Sequence, residues 1–405
     1  MAVQKYPGRV LSKTPPTITP PVDGEGGSAP GVWTLSEALE NEKAGTWPKP
    51  VLDRELYTWG LNSLGQLGQN NTISYSSPVQ VGGVDWAQVN IDNATLAIKT
   101  DGSLWSWGYN AGGGLGNNST LNTSSPTQVG ALTDWAQIDV AQTAFSGGIK
   151  TEGTLYMWGL ASFGRLGLND TVWKSSPVQV GALTNWSQLS LGRGHSASIK
   201  TDGTLWTWGW GLHGALGQNI SPTINRSSPV QVGALTTWSQ VSAGDNFVAA
   251  IKTDGTLWTW GYNNAGQLGI NGNFFASRSS PVQVGALTTW SQVSAGQVSV
   301  TAIKTDGTLW TWGYDNNGQL GQNNSIARSS PVQIGALTNW SQASCKNHVA
   351  AVKTDGTLWT WGQGTNGKLG QNSTINFSSP VQVGALSTWS QASAGYRETA
   401  AITKG

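Results

Sequence analysis

The run Ala249-Ala250-Ile251-Lys252-Thr253-Asp254-Gly255-Thr256-Leu257-Trp258-Thr259-Trp260 sets two β-prone stretches around Asp-Gly. Asp-Gly in that setting is a strong hairpin signal, because a type I′ turn needs positive φ at both central residues. Counted from a two-residue turn, Thr253 faces Thr256, Lys252 faces Leu257, Ile251 faces Trp258 and Ala249 faces Trp260. Large rings then lie across from small or branched side chains, as interdigitating sheets require. The same turn stands at Asp101-Gly102, Asp202-Gly203, Asp306-Gly307 and Asp355-Gly356, with Glu152-Gly153 as a variant. These carboxylates read as turn formers, not as catalysts.

The hairpin is one part of a longer unit. Trp-Gly recurs at Trp59, Trp107, Trp158, Trp208, Trp260, Trp312 and Trp361. Ser-Ser-Pro recurs in phase, with Pro78, Pro126, Pro177, Pro229, Pro281, Pro331 and Pro380. A period of about 50 residues with Gly and Trp punctuation is that of a propeller blade of about four strands. The predicted fold class is therefore all-β: a seven-bladed propeller of four-stranded blades over residues 55–405. The ends of the array complement each other. Glu55–Trp59 matches the second strand of the hairpin with no first strand before it, and Ala400–Lys404 supplies a first strand and stops. The N- and C-terminal strands should pair and close the ring, which removes free sheet edges.

The run Trp260-Gly261-Tyr262-Asn263-Asn264-Ala265-Gly266-Gln267-Leu268-Gly269 resembles the signature of the RCC1 repeat, and its Leu-Gly stands in every copy from Leu67-Gly68 to Leu369-Gly370. The resemblance implies a seven-bladed propeller of four-stranded blades. It does not imply the activity of the founding member of that family, which exchanges nucleotide on a small GTPase by a loop protruding from one blade. The repeats here differ in length by only a few residues and leave no room for such a wedge. Other relatives bind proteins through one face of the ring, including secreted inhibitors of β-lactamases, so a protein-binding ring is the family-level expectation.

Bulk composition narrows the partners. Lys+Arg is 22 against Asp+Glu 21, a formal net charge of +1. Such a chain has no electrostatic case for binding nucleic acid or coating an anionic membrane. No run reaches the roughly 18 apolar residues that a membrane helix needs. Lys5, Arg9 and Lys13 precede no apolar stretch, so the start does not read as a secretory signal. Cys345 is the only cysteine, which rules out an internal disulfide and a Cys-based zinc site. His195, His213 and His348 lack a repeated partner, and His195 and His348 occupy similar loop positions but stand blades apart, so no metal site is predicted; no Gly-rich phosphate loop opens a helix. Catalytic residues, cofactors and metals are all expected to be absent.

Residues 1–54 differ in kind. Eight of the 16 prolines fall there, and Thr14-Pro15-Pro16 to Pro20-Pro21 should be extended. Thr34 and Glu37 form a capping box, with Gly45 as a stop, and predict a short helix at about 35–44. Such a helix is too short to stand alone. With Trp33, Leu35, Leu39 and Trp47 it makes a candidate anchoring arm. The run Ala29–Leu39, followed by Ala44–Pro48, is similar to a segment near the start of structural proteins of marine bacteriophages. That resemblance implies a virion protein, a tail, fibre or head-decoration component located in the virion. Its arm would hold other virion proteins, and its ring would be displayed toward a host surface protein or glycan. The alternative is a protein-binding propeller, an inhibitor or adaptor module that is cytoplasmic or extracellular.

Differences among the seven internal copies point to candidate binding loops, since loops on a rigid scaffold carry binding. Three segments vary. After the Ser-Ala-Gly element stand Phe247, His348, Tyr396 and Arg397. Before Gly-Gln-Leu-Gly stand Trp210 and His213. Before Ser-Ser-Pro stand Tyr75, Trp173, Phe274, Phe275 and Phe377. Aromatic and Arg residues suit a protein or glycan surface.

Overall fold

The structure, a computed structural model, describes residues 53–219, 224–272 and 274–405. The helix expected at about 35–44 and the anchoring residues Trp33, Leu35, Leu39 and Trp47 lie outside the described residues. Arg54–Lys404 forms one compact unit.

Among the described residues, 28 strands build seven four-stranded antiparallel sheets. One blade runs Trp238–Ala243, Phe247–Lys252, Leu257–Gly261 and Arg278–Gln283, from the innermost strand outward. The innermost strand of each blade lies beside the next, and Trp389–Ala394 returns to Trp86–Ile91. The ring is therefore closed. The outermost strand of every blade carries the Ser-Ser-Pro proline, which removes a donor from an exposed edge.

The hairpin register departs from the expected one. Ile251 pairs with Leu257, Ala250 with Trp258 and Val248 with Trp260. The cause is a loop one residue longer than the type I′ turn assumed. Gly255 N–H donates to the Lys252 carbonyl (2.9 Å), and only Gly255 has positive φ (+75°). This is a type I turn followed by a left-handed glycine. Asp254 holds it by accepting from Thr256 N–H (2.9 Å) and Thr256 Oγ1–H (2.6 Å). Thr256 Oγ1 in turn accepts from Trp258 Nε1 (2.9 Å). Large-across-small pairing survives the shift, since Trp258 now faces Ala250.

The core sits between blades, not within them. Ala249 and Ile251 point into one seam with Trp290 and Trp312, while Val248 and Ala250 point into the other with Trp238 and Trp260. Each Trp-Gly indole donates across a seam to a backbone carbonyl of the preceding blade's loop, as Trp260 Nε1 does to Ala215 O (2.9 Å). The glycine of Leu-Gly makes this approach possible. A methyl on Gly217, at φ +66°, would stand 2.6 Å from Trp260 Nε1.

The two ends of the ring pair as expected. Leu56 pairs with Ile402, Tyr57 with Ala401, Thr58 with Ala400 and Trp59 with Thr399, in a blade completed by Trp389–Ala394 and Tyr75–Gln80. Ala400, Ala401 and Ile402 are buried in the two flanking seams. Removing residues 400–405 should lower unfolding free energy by on the order of 5 kcal/mol. Urea unfolding tests this, and a truncated chain that unfolds with the full chain's midpoint and slope would refute the closing-strand assignment.

Candidate functional site

The strand register decides where the variable segments meet. Gly261 pairs with both Phe247 and Arg278, and Gly60 pairs with both Glu398 and Tyr75. The start of the second strand, the end of the third and the start of the outermost strand therefore share one end of every blade. All three variable segments gather on that end, the loop face. The Asp-Gly turns and Gly-Ala-Leu connectors occupy the other end, the hairpin face, where Trp135 N–H bonds Gly102 O. The hairpin face is repetitive, with Leu132, Leu183, Leu235, Leu287, Leu337 and Leu386 all about half exposed.

Four of the eleven predicted loop residues are exposed on this face. Among the described residues Trp173 (59%) and Phe275 (78%) are the most exposed aromatics, with Phe274 less so, and Arg397 is exposed. Tyr75 and Phe377 are partly buried against the blade cores, and Tyr396 is partly buried beside the Arg397 guanidinium. Two candidates need correction. Phe247 and His348 are fully buried and offer no side chain to a partner. They head the second strand of their blades, at a position also held by Phe145, His195, Ser299 and Glu398. That position fills the seam beside the next blade. His348 Nε2 bonds Thr399 Oγ1 (2.6 Å), and a side chain on Gly244 would collide with the Phe247 ring and the Gly296 carbonyl. Its variation across copies reflects packing.

The loops before Leu-Gly take two conformations, set by one residue. Where the sequence has Gln66, Gln267 or Gln319, its Oε1 accepts from the backbone N–H two residues earlier, at Leu64, Ala265 and Asn317 (2.8–3.0 Å). Where Gly114, Arg165, Ala215 or Lys368 replaces it, a short 3-10 turn forms and the residue two earlier turns left-handed. These are Gly112, Phe163, His213 and Asn366, with φ between +57° and +71°. In two copies this sets an aromatic ring against the next blade. Phe163 stacks on Trp210 (4.8 Å, 9°), and His213 stacks on Tyr262 (4.1 Å, 25°). Trp210 and His213 are thus brought into inter-blade stacks, while Trp173 has no such role.

The ring axis is a polar channel of about 200 Å³. Its wall comes from Gln and Ser of the Trp-Ser-Gln-x-Ser strands. Each of the seven glutamines accepts from a backbone N–H of the next blade, for example Gln188 from Val241 (2.7 Å) and Gln391 from Val89 (3.2 Å). Serines two residues on do the same, as Ser190 does for Ala243 N–H (2.9 Å). The period-two Gln-x-Ser pattern was the available signal for this ring. At the loop-face mouth, burial pushes Asp92 and Asp139 up to about 6, against an opposing pull from the Lys346 ammonium. Asp245 is likewise raised by burial. Glu398 is pushed up to about 8, first by burial and then by the like charge of Asp92. Its carboxylate accepts from Gln66 Nε2 (2.8 Å) and Arg397 N–H (3.0 Å). His195 and His348 are both held below their ordinary value by burial. Among the described residues, no group of three His, Cys, Asp or Glu could hold a metal ion.

Residues 55–401 match the family model of the RCC1-like domain. The chain belongs to this RCC1-like family. It is 30% identical over 283 residues to the ultraviolet-B receptor UVR8 of Arabidopsis thaliana, covering 67% of this chain and 63% of UVR8. It is 28% identical over 286 residues to the human E3 ubiquitin-protein ligase HERC2, covering 68% of this chain and 6% of HERC2. The chain thus spans less than two thirds of these relatives. Yeast RCC1 (Prp20), solved with Kap60, superposes with a TM-score of 0.79 at 19% identity, covering 87% of this chain and 89% of that one. Human WBSCR16 gives 0.77 at 19% identity, covering 87% and 99%. The two structures share the fold of this RCC1-like ring. Among the described residues no helix is long and apolar enough to cross a membrane.

Glu398 supplies a pH test of this RCC1-like ring. Its folded value, about 8, lies above its ordinary 4.5, so the folded state holds the proton more tightly. The linked stability is fully present below pH 4.5 and is lost as pH rises through about 8. Glu398→Gln should flatten the decline between pH 5 and pH 9 in chemical denaturation. An unchanged slope would show that Glu398 titrates normally.

Proposed function

We propose that the ring is a protein-binding module of the adaptor or inhibitor type that takes its partner on the loop face. One observation carries this reading. Every variable segment of an otherwise repeated framework collects on that face, while the opposite face repeats itself. A rigid scaffold with one diversified surface is how loop-borne recognition is organised. The fold relatives support the class of partner. Yeast RCC1 has been solved bound to Kap60, and its binding to Gsp1p and histones has been described. The ligase named for HERC2 belongs to a protein of which this match covers 6%, so ligase chemistry does not come with the ring. The virion role draws on the arm alone, and neither the ring nor its relatives adds support to it.

The loop face carries suitable chemistry. Trp173, Phe275 and the Phe163–Trp210 stack supply apolar contact area, and Arg193 and Arg397 are exposed among them. Aromatic and Arg side chains dominate binding energy at protein interfaces. Affinity capture from the source organism's own extract, with three forms of the full chain, tests the assignment. Trp173→Ser with Phe275→Ser and Arg397→Glu should abolish the partner recovered by the wild type. Leu183→Ser with Leu235→Ser, on the hairpin face, should leave it bound. The opposite pattern would place binding on the hairpin face and overturn the reading.

A further inference from the structure

One blade of the loop face carries a charge that the fold does not neutralise. Arg165 stands where three copies have Gln66, Gln267 and Gln319. It is only 6% exposed. Its Nε donates to Ser162 O (2.9 Å), and Nη1 donates to Thr143 Oγ1 (2.9 Å) and Arg193 O (3.5 Å). The guanidinium lies between two aromatic faces, 5.2 Å from the Phe145 centroid and 5.7 Å from that of Phe163. Among the described residues no carboxylate pairs with it; the ion pairs found are Lys150–Asp134 and Lys174–Asp170. Burial pushes its pKa down to about 10, so it remains charged at neutral pH. A buried cation without a counter-ion is costly, and proteins normally pair such groups.

Two further features meet at the same spot. Phe163 is 41% exposed at φ +64°, where the equivalent positions have Gly112, His213 and Asn366. A bulky side chain there is strained, and strain of this kind concentrates at functional sites. Phe163 lies flat on Trp210, which packs on Gly194, next to the exposed Arg193. An aromatic platform thus stands directly over the unneutralised guanidinium.

We propose that Arg165, Arg193 and the Phe163–Trp210 stack form a receiving site for an acidic peptide segment of a partner protein, with a partner carboxylate on Arg165 and an adjacent apolar side chain on Phe163. The inference rests on the loop-face reading and names its partner chemistry. Nε and Nη1 of Arg165 are already engaged, which leaves the Nη2 edge. That edge offers hydrogen bonds to a partner carboxylate, and the flanking aromatic faces suit an apolar side chain beside it.

The test uses the full chain and a fluorescent probe peptide, Glu-Phe-Asp-Glu-Phe-Asp-Glu, followed by anisotropy. Controls are the Gln/Asn analogue and a phosphoserine peptide of equal charge. The wild type should bind the acidic peptide about tenfold more tightly than the neutral analogue, and binding should weaken at 0.5 M salt. Arg165→Ala and Phe163→Asn use residues that the ring itself carries at these positions in the same short-turn loops, as Ala215 and Asn366, so both should fold with the loop conformation kept. Each should cost about tenfold in affinity. Equal binding of acidic and neutral peptides would overturn the proposal, as would preference for the phosphopeptide. So would unchanged affinity in Arg165→Ala, the result of a purely structural arginine. Should the probe fail while the loop-face triple variant still loses its native partner, this site falls and the loop-face reading stands.

Discussion

The structure depends on one bond made seven times. The indole of each Trp-Gly tryptophan donates to a backbone carbonyl of the preceding blade at 2.9–3.1 Å, from Trp59 on Lys368 O to Trp361 on Gln319 O. Pairing a fully buried indole N–H with a loop carbonyl in a dry seam spares both groups the cost of going unbonded, a cost that the innermost-strand tryptophans, from Trp86 to Trp389, do carry. Each satisfies the other only if consecutive blades are in register. The Leu-Gly glycine is required at the same contact, since any side chain there would strike the indole. The sequence repeat is therefore a repeat of seams, and the last seam can form only if the chain's two ends share a blade.

This explains which parts of the fold were legible beforehand. Trp-Gly, Leu-Gly and Ser-Ser-Pro are spaced by blade geometry, so the blade number, the strand number and the closing pair of Glu55–Trp59 with Ala400–Lys404 could be read directly. The hairpin register could not be read as safely. Asp-Gly announces a turn, but whether one or both residues take positive φ depends on Thr256 and its bonds to Asp254. The error shifted the pairing by one residue and left the pattern of large against small intact. The inward Gln-x-Ser alternation was visible but unread, because polar residues on an innermost strand suggest solvent until the channel is known to be closed by neighbouring backbone.

The candidate surface was legible in outline for a different reason. Variation among internal copies marks positions free of the repeat constraint, and freedom has two sources. Trp173, Phe275 and Arg397 vary because they face outward. Phe247 and His348 vary because each seam is filled by its own combination of side chains. Sequence alone does not separate these cases. Phe163 and Arg165 went unnoticed because their significance is relational: the loss of Gln at position 165 turns residue 163 left-handed and sets its ring on Trp210.

The central claim is that the ring is closed by cross-seam bonds into one cooperative unit, with the terminal blade as firm as the rest. Native-state hydrogen exchange measures this blade by blade. The account predicts that amides of Leu56–Gly60 and Glu398–Thr403 exchange within about tenfold of those of Leu257–Gly261 and Phe247–Lys252. Exchange more than about a hundredfold faster in the closing blade alone would contradict it, because the ring would then be an open array whose ends merely touch.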